Sequence, residues 1–320
     1  MNREAFLAQP DLRAFVQWLA NTLPTLSVDL RLLPSNFVRG GHKATVKGIE
    51  AVTAEYRWKG DWPTVSALLK TLRKDLRIAV AAGDESATLK ACVAILEWGN
   101  VPKSKEFLQG LAAENALVEY IAVRAALLSP AGDQALTDLN KSVFPKFNSG
   151  LTKIFALLCP DGSPIYDGRV GGAIALLYHL YRESPSARGA GPTNHRCFAW
   201  GPGLDDQDSE RVRQIRNPAA LGRGYLGTPQ LLGYQSPHLW AQRQLILGWI
   251  IRAVLAKTDW YGGRAVDIAD RCHAFEGALF MAGYDLRCMI PGGWEIPDPK
   301  KRAYPRTRKT ISISSSAQRL

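Results

Sequence analysis

Apolar residues recur at helical spacing along most of the chain. Hydrophobic side chains three and four positions apart alternate with polar ones, as for Phe15, Trp18 and Leu19, and such a stripe is typical of an amphipathic helix. The pattern predicts five helices, over residues 3–22, 64–82, 86–98, 103–113 and 114–128. We assign them to an N-terminal helical lobe that covers residues 1–140.

The pattern changes in the second half of the chain. Residues 184–235 are rich in Gly, Pro, Ser, Arg and Asn, which predicts a long irregular loop. Helical spacing resumes over 237–255, as a buried helix, and again over about 263–281. We therefore expect a second lobe over 141–290, followed by a basic, flexible tail over 291–320. Strand signals are few and short, the best being 46–57, so the predicted fold class is mostly α.

Two predicted helix starts lie close together in the chain. A polar turn over 148–152 precedes an apolar helical run that ends at Pro160, which places Lys153 in the first turn of a helix. Asp167 stands before a second, strongly apolar run and is predicted to be its N-cap. Either residue alone fits an ordinary surface lysine or a simple cap, so only their combination suggests a site.

The composition indicates a folded protein with a polyanionic partner. The 320 residues are 46% hydrophobic and 9% aromatic, which is enough for a large core. Lys and Arg number 40 against 29 acidic residues, so the net charge is +11, and the isoelectric point is about 9.5. Such an excess of positive charge favours binding to nucleic acid.

The cysteines and the N-terminus indicate a reducing compartment. Five cysteines are scattered without a CxxC pair, so a disulfide framework is not expected. The first residues lack an apolar signal core, and no window has the length and apolar character of a membrane span. We expect a cytoplasmic protein without membrane association.

Three motifs fail as cofactor or metal sites. The GxGxxG match at 222–227 is flanked by prolines where a dinucleotide site needs a strand and a helix. His195 lacks the glutamate and the paired cysteines of a zinc deaminase. His273 and Glu276 share a helix face without a third ligand. We predict neither a cofactor nor a metal.

The segments SGLTKIFALL (149–158) and PIYDGRV (164–170) resemble the helix-hairpin-helix DNA glycosylase superfamily. The similarity is closest to the bacterial 8-oxoguanine-glycosylase-like proteins and is strongest over 145–181. The resemblance implies a two-lobed helical glycosylase-like fold with few short strands. The chain has no four-cysteine cluster near its C-terminus, which excludes an iron–sulfur version.

The resemblance also implies roles for the two residues at the helix starts. Lys153 corresponds to the nucleophile of the hairpin's second helix, and Asp167 to its carboxylate partner. Cleavage of an N-glycosidic bond develops oxocarbenium character on the sugar, which a nearby carboxylate stabilises. An attacking amine must be neutral, and burial or the positive end of a helix lowers a lysine pKa.

Further residues are candidates for contacts with DNA. The hairpin, the second helix start, the turn after the helix at 86–98 and the long loop supply the predicted DNA-binding residues: Ser149, Gly150, Thr152, Arg169, Asn100, Arg216 and Arg223. Asn100 is proposed to fill the space that a flipped base leaves in the duplex. The pocket for that base is predicted to contain Tyr166, Trp200, Tyr234 and Trp240.

The predicted function is therefore a DNA glycosylase that acts on double-stranded DNA and leaves an abasic site. Two substrate classes stay open: hypermodified cytosine in phage DNA, including glucosylated hydroxymethylcytosine, within antiphage defence, and oxidised purines in housekeeping repair. Strand incision would follow if Lys153 forms a Schiff base. The competing hypotheses are a non-enzymatic reader of modified DNA and a helical scaffold for an acidic protein. No obligate protein partner is evident.

Overall fold

Helices dominate the part of the chain that this computed structural model describes, residues 1–198, 214–222 and 236–298. The helices are α1 Arg3–Leu7, α2 Pro10–Thr22, α3 Ile49–Ala54, α4 Trp62–Ala81, α5 Glu85–Gly99, α6 Lys105–Ala113, α7 Leu117–Leu127, α8 Leu151–Leu158, α9 Gly168–Glu183, α10 Pro237–Leu255 and α11 Ile268–Ala282. Two strands, β1 Ser27–Leu32 and β2 His42–Lys47, form an antiparallel hairpin. The predicted mostly α fold class is confirmed.

Local sequence signals explain where several helices begin. Asp61 caps α4 by accepting the backbone N–H of Thr64 at 3.0 Å, and Asp84 caps α5 in the same way through Ala87 at 2.8 Å. A carboxylate at this position satisfies a backbone donor that has no partner within the helix. Pro237 opens α10, where its missing N–H costs nothing.

The predicted strand over 46–57 is wrong for most of its length. Only its first two residues belong to β2, which pairs with β1 so that Val28 faces Val46. Gly48 then turns the chain with a φ of 93°, a backbone conformation that glycine adopts without steric cost. The apolar residues that follow, Ile49 and Val52, are three apart and bury one face of α3.

Two other boundaries differ from the prediction. The helix predicted over 3–22 is two helices, because Pro10 cannot continue α1 and instead starts α2. The helix predicted from about 263 begins at Ile268. The preceding turn contains Tyr261 at a φ of 58° and two glycines at positive φ, a backbone that an α-helix cannot include.

The prediction of a buried helix over 237–255 is confirmed, since α10 spans these residues and Trp249 is fully buried. Within 184–235, the described residues form only short 3-10 turns, at Pro185–Ala187, His195–Phe198 and Pro218–Leu221. None of the described helices is long and apolar enough to cross a bilayer.

Helices from both sides of residue 140 contribute to one hydrophobic core. Helix α2 contacts α9 and α10, α3 packs on α11, and both α4 and α5 contact α8. The division into two lobes at that residue stays a prediction. The helix α8 is buried almost throughout by these contacts, and this burial determines the environment of Lys153.

The first residues of the predicted tail pack against the hairpin. Trp294 donates its indole N–H to the carbonyl of Asp29 at 2.9 Å. The guanidinium groups of Arg31 and Arg287 lie 4.8 and 4.7 Å from the centroid of its ring. Residues 299–320 lie outside the described part of the chain.

Candidate active site

Lys153 is an interior lysine. It is the third residue of α8 and is 6% exposed, which confirms its predicted place near a helix start. Its Nζ donates to the carbonyl oxygen of Ser149 at 2.7 Å. Burial lowers the pKa of Lys153, while the negative charges of Asp167 and Glu276 oppose that shift. Burial therefore increases the share of Lys153 in the neutral form, which is the form that can act as a nucleophile.

Asp167 is the N-cap of α9, as predicted. Its Oδ1 accepts the backbone N–H groups of Arg169 at 2.9 Å and of Val170 at 3.1 Å. The other oxygen, Oδ2, lies 3.8 Å from Nη1 of Arg169. The positive end of a helix favours a carboxylate, and the two hydrogen bonds fix its orientation. Both backbone hydrogen bonds thus go to Oδ1, and Oδ2 has only the guanidinium of Arg169 nearby.

A buried hydrogen-bond network joins the two helix starts. The hydroxyl of Thr152 accepts the backbone N–H of Tyr166 at 2.8 Å and donates to Oε1 of Gln244 at 2.5 Å. Gln244 in turn donates to the hydroxyl of Ser163 at 3.0 Å. Thr152 is fully buried, so its predicted contact with DNA is wrong. Its hydroxyl instead connects α8, α10 and the loop that carries Asp167.

The turn before α8, which contains the predicted DNA-binding residues Ser149 and Gly150, has its backbone donors satisfied within the protein. Oδ1 of Asn148 accepts the backbone N–H of Gly150 at 2.9 Å and that of Leu151 at 3.1 Å. Asn148 and Gly150 are both buried. The donors at the start of α8 are therefore already satisfied, and the predicted DNA contact at Gly150 is wrong. Ser149 is partly exposed and remains accessible.

Lys153 and Asp167 both line one cavity, which has a volume of about 380 Å³. This volume falls within the range of about 300–1,000 Å³ that is usual for small-molecule pockets. The predicted site residues that line it are Asn100, Ser149, Lys153, Asp167, Arg169, Arg216 and Trp240. Segments that are far apart in the sequence thus line the same cavity.

Much of the cavity wall is aromatic. The Trp58 ring lies 5.5 Å from Phe37, 5.4 Å from Trp98 and 5.9 Å from Phe280, centroid to centroid. Tyr56 stacks on Phe280 at 5.9 Å. No local pattern in the sequence marks these rings as a group, because they come from the loop between β1 and β2, the turn after α3, the end of α5 and α11. A clue was present in Tyr56 and Trp58, two aromatic residues in a stretch that fits neither a helical nor a strand period.

The residues predicted for the base pocket do not all lie at the cavity. Trp240 lines the cavity and donates its indole N–H to the carbonyl of Tyr166 at 2.6 Å. The Tyr166 side chain is 1% exposed and is not part of the cavity wall, so its predicted contact with the base is wrong. Trp200, Tyr234 and Arg223 lie outside the described residues.

Two arginines and an asparagine border the same space. The Arg169 guanidinium lies 4.8 Å from the centroid of Phe280 and 4.3 Å from that of Tyr284. Arg216 donates to the carbonyl of Tyr284 at 3.4 Å. Asn100 ends α5 in the left-handed conformation, with a φ of 52°, and is exposed. These groups can meet a phosphate or a base at the cavity.

Glu276 is a cavity residue that the sequence analysis considered only as a metal ligand. Its Oε2 accepts the backbone N–H of Ile165 at 3.0 Å and lies 3.2 Å from Nδ1 of His273. Burial raises the pKa of Glu276. Across the described ranges, no three His, Cys, Asp or Glu side chains are grouped as a metal site would require.

Comparisons with known proteins give no relative: no family model matches the chain, and neither a curated protein nor a solved structure matches it.

Proposed function

We propose that this protein is a DNA glycosylase of the helix-hairpin-helix type. It binds double-stranded DNA, flips a modified base out of the helix and cleaves its N-glycosidic bond, leaving an abasic site. The observation that carries this proposal is the pairing of a buried lysine with a helix-capping aspartate in one aromatic cavity. A carboxylate, an amine and flat apolar faces are what base excision requires.

Asp167 is suited to stabilise the sugar as the bond to the base breaks. Positive charge develops on the sugar ring in such a transition state, and a fixed carboxylate stabilises it. The two backbone hydrogen bonds to Oδ1 hold the carboxylate in place. Little reorganisation is then needed during the reaction.

Lys153 is suited to attack the sugar carbon or to form a Schiff base. An ordinary lysine with a pKa of about 10.4 is neutral in roughly one molecule in 2,500 at pH 7. Burial lowers the pKa of Lys153 and so increases the neutral fraction. A lysine whose pKa is lower by about one pH unit has a neutral fraction about ten times larger.

The aromatic wall offers a place for the extruded base. Flipping a nucleotide costs a few kcal/mol, and stacking on aromatic side chains returns roughly 1–3 kcal/mol for each base. Trp58 and Phe280 are both buried and both line the cavity. A rigid apolar wall of this kind accepts the face of any base, so it supports binding more than selectivity.

The substrate class proposed first is hypermodified cytosine in phage DNA, including glucosylated hydroxymethylcytosine, which would give the protein a role in antiphage defence. The cavity of about 380 Å³ supports this choice, because it is as large as pockets that hold whole small molecules. The alternative substrate is an oxidised purine such as 8-oxoguanine.

The test measures released base and abasic sites after incubation with three duplexes, which are unmodified, oxidised or glucosylated. Asp167→Asn should abolish release while α9 stays capped, since asparagine caps a helix about as well as aspartate. Asp84→Asn is the matched control, because Asp84 caps α5 and does not line the cavity. Binding to DNA without release from any duplex would instead support a non-enzymatic reader.

A second assay tests the role of the lysine. Borohydride should trap wild-type protein on DNA that contains a preformed abasic site, and Lys153→Ala should not be trapped. Release of base without trapping would mean that water is the attacking group and that Lys153 forms no covalent bond to the sugar.

A further inference from the structure

Two carboxyl groups line the cavity, and their surroundings differ. Asp167 accepts two backbone N–H groups at the start of a helix and lies near a guanidinium. Glu276 lies on α11, is 7% exposed and has aromatic neighbours in the cavity wall. When two carboxyl groups in one site have such different surroundings, they commonly divide the work of acid and base.

Only one oxygen of Glu276 is engaged by the protein. Oε2 accepts from the Ile165 backbone and contacts His273. Oε1 has no hydrogen-bond partner among the described residues, and the side chain borders the cavity. The carboxyl group beside the cavity is therefore held at one oxygen, while its other oxygen makes no hydrogen bond with the described residues.

We propose that Glu276 is the general acid that protonates the departing base. This assignment rests on the proposed glycosylase function and adds a residue to its mechanism. It gives the two carboxyl groups opposite tasks: Asp167 stabilises the sugar while ionised, and Glu276 donates a proton to the base while neutral.

Atoms and electrons balance in this step. The bond between the sugar carbon and the base nitrogen breaks, and its electron pair goes to the base. The base takes the proton from Glu276 at a ring nitrogen or carbonyl oxygen and leaves neutral. The sugar carries the positive charge until Lys153 or water bonds to its carbon, after which the bonded amine or water loses a proton to solvent. Glu276 is left as a carboxylate and regains a proton from solvent.

The surroundings of Glu276 favour the protonated form that this step needs. Burial is the largest cause of its raised pKa; the charge of Asp167 adds to it, and His273 opposes it. The titratable and charged groups around the site are His273 and Cys272 on α11, Lys153 on α8, Asp167 and Arg169 at the start of α9, and Tyr56 after α3. Burial raises the pKa of Tyr56, and it raises that of Cys272 to about 12, so both stay protonated near neutrality.

The two chemical roles predict opposite pH dependences. Base release should decline as pH rises through the raised pKa of Glu276, because the acid is lost. Attack by Lys153 should increase with pH, because the amine is deprotonated. DNA with a preformed abasic site has no base to protonate, so trapping on it should not decline as pH rises.

The experiment compares wild type with Glu276→Gln, which keeps the shape of the side chain and removes the proton. The probes are a duplex with glucosylated hydroxymethylcytosine, a duplex with 8-oxoguanine and a duplex with one abasic site. We expect base release by the variant to fall about 10²- to 10⁴-fold. The release that remains should no longer decline as pH rises. Trapping on abasic DNA should stay at the wild-type level. Glu97→Gln is the control, because Glu97 is exposed at the end of α5 and does not line the cavity.

Other results would overturn the assignment in distinguishable ways. Equal release by the variant, with the wild-type pH profile, would remove Glu276 from the mechanism and leave the glycosylase function intact. Loss of trapping together with release would show a positioning or structural role. No release by wild type from either modified duplex would overturn both proposals. If the variant does not fold, the pH profiles of the wild-type protein still test the assignment. Base release and trapping that change in the same way as pH rises would contradict a general acid.

Discussion

Gly99 lies directly against the side chain of Lys153. A Cβ atom on Gly99 would stand 2.6 Å from Cδ and 2.8 Å from Cε of the lysine, closer than real contacts allow. The last turn of α5 and the first turn of α8 therefore meet so closely that a side chain on Gly99 would displace that of Lys153. The space that glycine leaves is filled by the lysine stem.

Gly99→Ala should impair catalysis more than folding. The new methyl group meets the flexible end of a lysine rather than backbone, so Lys153 moves and its amine leaves its position. We expect trapping on abasic DNA to fall at least about tenfold, a barrier change of roughly 1.4 kcal/mol, with a cooperative unfolding transition retained. Gly110→Ala in α6 is the control, because no atom lies within 4 Å of the added group. That control should gain about 0.5–1 kcal/mol of stability and keep full activity.

Thr152→Val should lower both stability and activity. Valine has the shape of threonine without the hydroxyl, so the N–H of Tyr166 and Oε1 of Gln244 lose their partner. Each buried polar group left unpaired costs roughly 1–3 kcal/mol. Urea denaturation and base release measure the two effects. Thr71→Val is the matched control, since the Thr71 hydroxyl bonds only to its own helix on an exposed face. Equal stability of the two variants would contradict the network.

Asn100→Gly should lower base release from duplex DNA but not from single-stranded DNA. Glycine adopts the left-handed conformation of this position freely, so the fold is kept and only the amide side chain is lost. If that side chain fills the space left by a flipped base, release from duplex DNA should fall while release from single-stranded DNA is unchanged. Asn115→Gly is the control, because Asn115 is also left-handed, with a φ of 53°, and does not line the cavity. Equal losses on both substrates would argue against this role.

Glu276→Gln should change how stability depends on pH. The folded-state pKa of Glu276 is raised above its unfolded value of about 4.3. The folded form then binds the proton more tightly, so wild-type stability falls as pH rises from that value through the folded pKa. Glutamine does not titrate, so the variant does not lose this stability. Between the unfolded and the folded pKa of Glu276, the free energy of unfolding of the variant relative to wild type should increase by roughly 1.4 kcal/mol for each pH unit that separates the two pKa values. Thermal denaturation at pH 4 and pH 8 measures it, and a constant difference would contradict the raised pKa.

Local signals in the sequence predicted several elements well. The apolar run from Pro237 to Leu255 is α10, because a long helical period with proline at the start leaves little alternative. The cap at Asp167 was predicted because aspartate before glycine and an apolar run has a specific local use. The strand at 46–57 was mistaken because short apolar stretches fit either period poorly, and Gly48 changes the backbone direction within it.

The site was predicted only where its chemistry is local in sequence. Lys153 and Asp167 are 14 positions apart and both were selected from their own segment. Phe37, Trp98 and Glu276 belong to distant segments, and nothing near them in the chain marks a shared cavity. Thr152 looked like a surface hydroxyl at a helix start, yet it is fully buried and hydrogen-bonded to Gln244 of α10.

The sequence by itself determined the helical class, the two helix starts with their amine and carboxylate, and the basic charge, because propensity, capping and composition are properties of short segments. Only the tertiary structure decided that the lysine is buried, that the backbone donors of the turn before α8 bond to Asn148, and that a second carboxyl group shares the cavity. The physical reason is that burial and electrostatic coupling depend on which distant segments pack together. Those contacts change the pKa of Lys153 and of Glu276, and a pKa governs what a side chain can do.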